Sequence, residues 1–334
     1  MPTVRRSLTV RKAAKPHNRE FIPIRKTLQG MIIKPITFLS CCLLLAVIGL
    51  PSFAQQIADP HFDARVDKPT FTKNFPRVLF DEAHYNFDTT NNRYKPFADL
   101  LFNDGYHIAV NRQQFTKASL ATHKILVIVN PLGGEDMDDA GADGPAFTPA
   151  ECEVVSDWVR GGGALLFIAD QAPFASAAEI LAKQLGVDMS RSETTDAANA
   201  DKDFGSPSII VYSRENHQLA ESAITNGRSD AERVNRVIVF SGQSLKGPQG
   251  SEAFLKLAEG AVNEMDGKSA SAAGRAQGIA FRLGKGRVVV LGDAAMLSAQ
   301  VTGSDNQPVG MNVPNIDNRQ LALNIMHWLS GILK

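Results

Sequence analysis

The chain has 334 residues, with 35 Lys+Arg balancing 35 Asp+Glu, 44% hydrophobic side chains and 7% aromatics. This apolar content suffices for a large core and excludes disorder, collagen and coiled coil. A net charge of zero without a basic stripe excludes the electrostatic footprint of a nucleic-acid binder.

The first thirty residues hold eight bases (Arg5, Arg6, Arg11, Lys12, Lys15, Arg19, Arg25, Lys26) and one acid, Glu20. An uncharged run from Ile36 to Leu50 follows, then Pro51 and Ser52-Phe53-Ala54. About 15 apolar residues fall short of the roughly 20 that span a bilayer, and small residues at Ser52 and Ala54 suit signal peptidase. The expectation is a signal peptide cleaved after Ala54 and a protein exported to the periplasm or secreted, with no stable membrane span thereafter. An uncleaved anchor is the alternative. Lipidation at Cys41 or Cys42 is disfavoured because both sit mid-run. The leader is long enough that Met31 could be the natural start, making residues 1–30 a mis-called start. Removing residues 1–54 leaves 26 bases against 34 acids, a net of −8, and a single cysteine, Cys152. No internal disulfide can then form, and the core must hold the fold.

Residues 55–75 are polar, contain Pro and lack periodicity, which predicts an irregular lead-in to a single domain over 76–334. Strand-length apolar runs follow at Arg77–Phe80, His107–Val110, Lys124–Val129, Ala164–Ala169, Ser208–Tyr212, Arg236–Phe240, Gly278–Arg282 and Arg287–Leu291. Helical patterns lie at Tyr94–Asn103, Thr148–Arg160, Ala175–Leu185 and Asn318–Leu333. The second opens Thr148-Pro149-x-Glu151, a capping box with proline in the first turn, and ends at Gly161-Gly162-Gly163. Cys152 falls within it and reads as a structural thiol. Apolar strands that do not alternate, each followed by a helix, imply an α/β doubly wound, mostly parallel sheet covered on both faces. Gly278 to Asp293 reads instead as a hairpin across Leu283-Gly284-Lys285-Gly286, giving an antiparallel edge. Its Gly-x-Gly is turn chemistry without the third glycine of a dinucleotide fingerprint.

Two insertions break the rhythm. Glu135–Gly144 resembles a calcium loop at Asp136, Asp138 and Gly141, but Ala140 and Phe147 stand where oxygen ligands belong, so a solvated loop is expected. Ser190–Ser206 reads as an excursion from the sheet edge.

Ligands of open α/β sheets collect at the carboxyl ends of the strands. There the sequence delivers Asp81-Glu82-Ala83-His84-Tyr85-Asn86, Asn130-Pro131, Asp170-Gln171 and Gly292-Asp293. Asp81, Glu82, His84, Asn86, Asn130, Asp170 and Asp293 are therefore the candidate ligand-binding residues, and Asp81, Glu82, His84 and Asp170 the candidate catalytic ones. Asp170 and Asp293 could equally cap the following helices. Crowded carboxylates there should raise at least one pKa. No cofactor is evident; a divalent cation is the alternative. Gly-x-Ser-x-Gly, Walker and His-Glu-x-x-His motifs are absent, and His327 on the last helix reads as structural.

The runs RVLFDEAHYNFDT, YKPFADLLFNDGYHI, LVIVNPLGG, WVRGGGALLFIAD and GRVVVLGDAAML, with the NRQLALNIMHWLSGIL ending, resemble the class I glutamine amidotransferase-like superfamily. The specific likeness is to the bacterial group called domain of unknown function 4350, over Arg77–Leu333. The resemblance implies a flavodoxin-like fold. The nucleophilic cysteine of true amidotransferases would lie in the elbow after ALLFIA, where this chain has Asp170 and Gln171, and no matching His-x-Glu follows. Glutaminase chemistry is therefore not expected. What remains is an exported domain binding a small polar or sugar-like ligand, with a carboxylate- or metal-dependent hydrolase and a non-catalytic scaffold partnering an envelope protein as alternatives.

Overall fold

The computed structural model describes residues 56–334; the expected leader, signal peptide, Cys41 and Cys42 lie outside the described residues. Eight main strands are β1 (Arg77–Asp81), β2 (His107–Asn111), β3 (Ile125–Val129), β4 (Ala164–Ile168), β5 (Ile209–Ser213), β6 (Arg236–Phe240), β7 (Ala276–Leu283) and β8 (Gly286–Leu291). The helices are α1 (Lys95–Asn103), α2 (Lys117–Ala121), α3 (Pro149–Arg160), α4 (Phe174–Gln184), α5 (Ala223–Asn226) and α6 (Asn318–Ser330).

The central sheet runs β2-β1-β3-β4-β8-β7 and continues through Leu245–Lys246 to Asp188–Met189, while Glu252–Lys256 also pairs with β7. The first five strands are parallel and β7 is antiparallel to β8. Counting only the parallel strands, the order is the 2-1-3-4-5 of the flavodoxin-like fold. Alternate residues of each strand face opposite cores. Val78, Phe80, Ile125, Val127, Leu166 and Ile168 pack in a core with residues of α1 and α6. Leu79, Leu126, Ile128, Leu165 and Phe167 pack in another with residues of α3 and α4. Burial on both faces is why these runs do not alternate in sequence.

Three expectations need correction. First, β5 and β6 are expected in the parallel sheet but pair with each other, antiparallel, in a sheet of their own, with Ala200 bridging to Ile210 beside them. Their apolar runs match those of central strands, so hydrophobicity does not distinguish them; residues of both pack in the core that also holds α6. Second, the β7–β8 hairpin is antiparallel as expected but does not end the sheet, since further strands pair beyond β7. Its turn uses Gly284 at φ +60°, backbone that L residues rarely adopt. Third, within the irregular lead-in, Ile57–Ala58 forms a short strand against Ala299–Thr302. The insertion at Ser190–Ser206 contributes Glu193–Thr195 to a small sheet with Val262–Met265 and Lys268–Ser271. Among the described residues no helix is long and apolar enough to cross a membrane.

Candidate functional site

The seven expected site residues divide into separate hydrogen-bonded sets. At the end of β1, Asp81 is fully buried. Its Oδ2 lies 2.7 Å from His84 Nδ1, and its Oδ1 accepts from Asn111 Nδ2 at 2.9 Å. The second ring nitrogen, Nε2, is 2.9 Å from Glu151 Oε1. Glu151 is the residue that closes the capping box of α3: its Oε2 accepts from Thr148 N at 3.0 Å and Thr148 Oγ1 at 2.8 Å. Its Oε1 also accepts from Phe115 N at 3.0 Å. The His84 ring sits between Phe115 and Phe147, with centroids 4.8 and 4.6 Å away.

A neutral imidazole has one N–H, so donation to both carboxylates requires the imidazolium. Burial opposes that charge, but hydrogen bonds and attraction from Asp81 and Glu151 outweigh it, and the His84 pKa is raised. Burial also opposes the charge on Glu151, yet its bonds to Thr148, His84 and Phe115 win and its pKa is lowered. Asp81, His84 and Glu151 thus form a closed staple that ties β1 to the start of α3. Asn86 joins it locally, accepting from His84 N and donating to Val129 O. Glu82 turns away and holds Thr90 through its backbone N and Oγ1.

The second set lies one loop further on. Asn130, immediately after β3, adopts φ +42° in the left-handed region. From there its Nδ2 donates to Asp88 Oδ2 at 2.8 Å and to Asp170 Oδ2 at 2.9 Å. Its Oδ1 accepts from Asp170 N at 2.9 Å. Asp170 Oδ1 receives Ala294 N at 2.6 Å, which ties the end of β4 to the loop after β8. Burial, reinforced by the charge of Asp170, pushes Asp88 up to about 7 despite Arg93 and Asn130. Burial pushes Asp170 up to about 6 against its hydrogen bonds to Asn130 and Ala294. The like-charge strain expected at this edge falls on Asp88 and Asp293, each raised further by the charge of Asp170. Arg93 stands over the Phe87 ring at 4.2 Å and lines a cavity of about 440 Å³ with Gln56, Ile57, Asn91, Asn92 and Lys95.

Asp293 behaves as a cap. Its oxygens accept Phe240 N at 2.9 Å and the N–H groups of Ala295 and Met296 at 3.0 Å each. Burial and the charge of Asp170 raise its pKa against those three donors. Among the described residues, no group of three or more His, Cys, Asp or Glu side chains is arranged to hold a metal ion.

Asp88, Glu151 and Arg93 are not among the expected residues. Asp88 is within reach of the sequence, two positions past Asn86 in the same polar run. Glu151 reads from the sequence only as a cap, since nothing in its spacing reveals a partner 67 positions away.

No family model matches the chain, and no curated protein matches it. Among solved structures, the N-terminal domain of mmIFT52 superposes with a TM-score of 0.56 at 17% identity, over 76% of this chain and 97% of that one. A GMP synthase-like protein from Thermoplasma acidophilum gives 0.40 at 12% identity, over 78% and 96%. A ThuA-like protein from Bacteroides uniformis gives 0.41 at 11% identity, over 81% and 95%. The likeness to the mmIFT52 domain is one of fold, and together with the strand order it makes this chain a flavodoxin-like α/β domain.

Proposed function

We propose that this chain is an exported, non-catalytic amidotransferase-like domain of the bacterial group called domain of unknown function 4350. In this reading it binds a small polar ligand at the carboxyl edge of its sheet through Asp88, Asn130 and Asp170. The observation that carries the reading is the shared carboxamide: one Asn130 nitrogen bridges two carboxylates whose pKa values are raised to about 7 and about 6. This arrangement joins the chain just past β1, β3 and β4, and β1/β3 is the switch point where open sheets of this order bind ligands.

With Asp88 raised to about 7, its carboxyl carries a proton in part of the molecules near neutral pH, so the cluster offers both a donor and acceptors, which suits hydroxyl- or amine-bearing molecules. Hydrolysis is the weaker reading. The elbow after β4 supplies no thiol or hydroxyl, and the Cys152 thiol is buried in α3 with its pKa pushed up to about 11.

The test is a thermal-shift and calorimetry screen of small amines and polyols, with divalent ions and chelator as controls. A ligand at a hundredfold excess over its Kd should stabilise the protein by about 2.7 kcal/mol. Both Asp88→Asn and Asp170→Asn should lose that response. Binding unaffected by either variant would refute the reading. Turnover of a bound ester or glycoside, abolished by the same variants, would establish the hydrolase instead, and no ligand at all would favour the scaffold.

A further inference from the structure

A cavity of about 830 Å³ lies apart from the strand-edge residues, between the lead-in and α6. One wall is a single face of α6, presenting Arg319, Gln320, Leu323 and His327 at helical spacing. The opposite wall is the lead-in from Asp59 to Thr70, and Asp104, Arg228 and Glu232 complete the rim.

We propose that this cavity is a carbohydrate site, taking a neutral, hydroxyl-rich ligand of mono- or disaccharide size. Its volume falls within the roughly 300–1,000 Å³ of small-molecule sites. Part of its charge is paired within the wall. Arg65 Nη2 meets Asp63 Oδ2 at 2.6 Å, Arg228 Nε meets Glu232 Oε1 at 2.8 Å, and His327 Nε2 lies 2.8 Å from Asp104 Oδ2. Asp59 accepts from Asn312 Nδ2 at 2.9 Å. Counting Lys and Arg against Asp and Glu, the lining holds four bases and five acids, so no large charge is left to select an ion.

Hydrogen-bonding capacity is left over. Among the described residues, Arg319 donates through Nη2 alone, to Arg65 O, and Arg228 uses Nε and Nη2 on Glu232 while its Nη1 donates to nothing. Two buried polar atoms without a partner, His327 Nδ1 and Asn312 Oδ1, belong to side chains that line this cavity. Phe62, Val66 and Leu323 add an apolar patch for the C–H face of a sugar ring.

The experiment is calorimetry on the full chain with neutral mono- and disaccharides, and with sodium sulfate and calcium chloride as charged probes. The expected result is one-to-one binding of at least one sugar, weakened at least tenfold by Arg319→Ala or by Gln320→Ala, two half-exposed positions where folding can be checked by thermal melting. Asp170→Asn should leave that binding intact, which separates this site from the strand-edge site. Binding lost in Asp170→Asn but kept in both cavity variants, a response to sulfate or calcium alone, or no sugar binding would each overturn the proposal.

Discussion

Replacing Asp81 by Asn keeps the shape of the side chain but leaves one accepting oxygen where the native residue has two. Asp81 Oδ2 faces His84 Nδ1 and Oδ1 accepts from Asn111 Nδ2. In the variant one of these donors therefore meets an NH2 group, and the buried imidazolium loses one of its two counter-charges. An unsatisfied buried donor costs about 1–3 kcal/mol, and removing one partner of a buried ion pair about 3–5 kcal/mol. Glu151 remains to hold His84, so the total should sit near the lower end, at about 3 kcal/mol. For a chain of this size that corresponds to a fall in Tm of about 5 °C.

The pH dependence has a definite sign. The folded pKa of His84 is raised, so its contribution is fully present below the ordinary histidine value and is lost as pH rises through the raised one. The folded pKa of Glu151 is lowered, so its contribution is present above the ordinary glutamate value and is lost as pH falls through the lowered one. The gap between wild type and Asp81→Asn should thus be widest at about pH 4.5–6.5 and should narrow on the alkaline side. Thermal unfolding followed by circular dichroism from about pH 5 to about pH 9 measures it. A Tm unchanged within about 2 °C throughout that range would refute the staple.

Asp88 should show the opposite sign. Its folded pKa is raised to about 7, so the native state loses stability as pH climbs from about 4 to 7, and Asp88→Asn should be neutral at about pH 4 and stabilising at about pH 8 in the same melts. The Cys152 thiol, buried and shifted up to about 11, should resist a thiol reagent at about pH 8 in the native protein and react fully in guanidinium, with Cys152→Ser costing about 1–2 kcal/mol. Gly105 has φ +93°, and a Cβ there would stand 1.9 Å from Phe71 O, so Gly105→Ala should lower stability by about 1–3 kcal/mol in denaturant titration. Asp293→Ala should cost more than Asp293→Asn in the same titration, since only the latter keeps an accepting oxygen, able to take Phe240 N and Met296 N as Oδ2 does.

Much of the architecture was legible because local chemistry acts over a few residues. The doubly wound sheet follows from apolar runs such as ILVIV and ALLFI, which are fully buried and lie adjacent and parallel. The capping box at Thr148 and Glu151 is a contact between residues three apart, and the structure forms both of its bonds. The hairpin turn is written in Gly284, because glycine readily adopts the φ +60° it needs there.

What lay beyond reach was partnership across the chain. β5 and β6 carry strand-like runs, but which neighbour a strand takes depends on packing against elements far away in sequence. The candidate site shows the same limit. Residues Asp81, His84, Asn130 and Asp170 were visible as polar groups ending apolar strands, and all sit at that edge. Their division into a closed staple and a shared-carboxamide cluster was decided by tertiary structure, which brings Glu151 to His84 and Asp88 to Asn130. Sequence spacing determines which groups reach the carboxyl edge of a sheet. Only the folded chain determines which of them neutralise each other there, because that depends on distances of a few ångströms between segments that the sequence holds far apart.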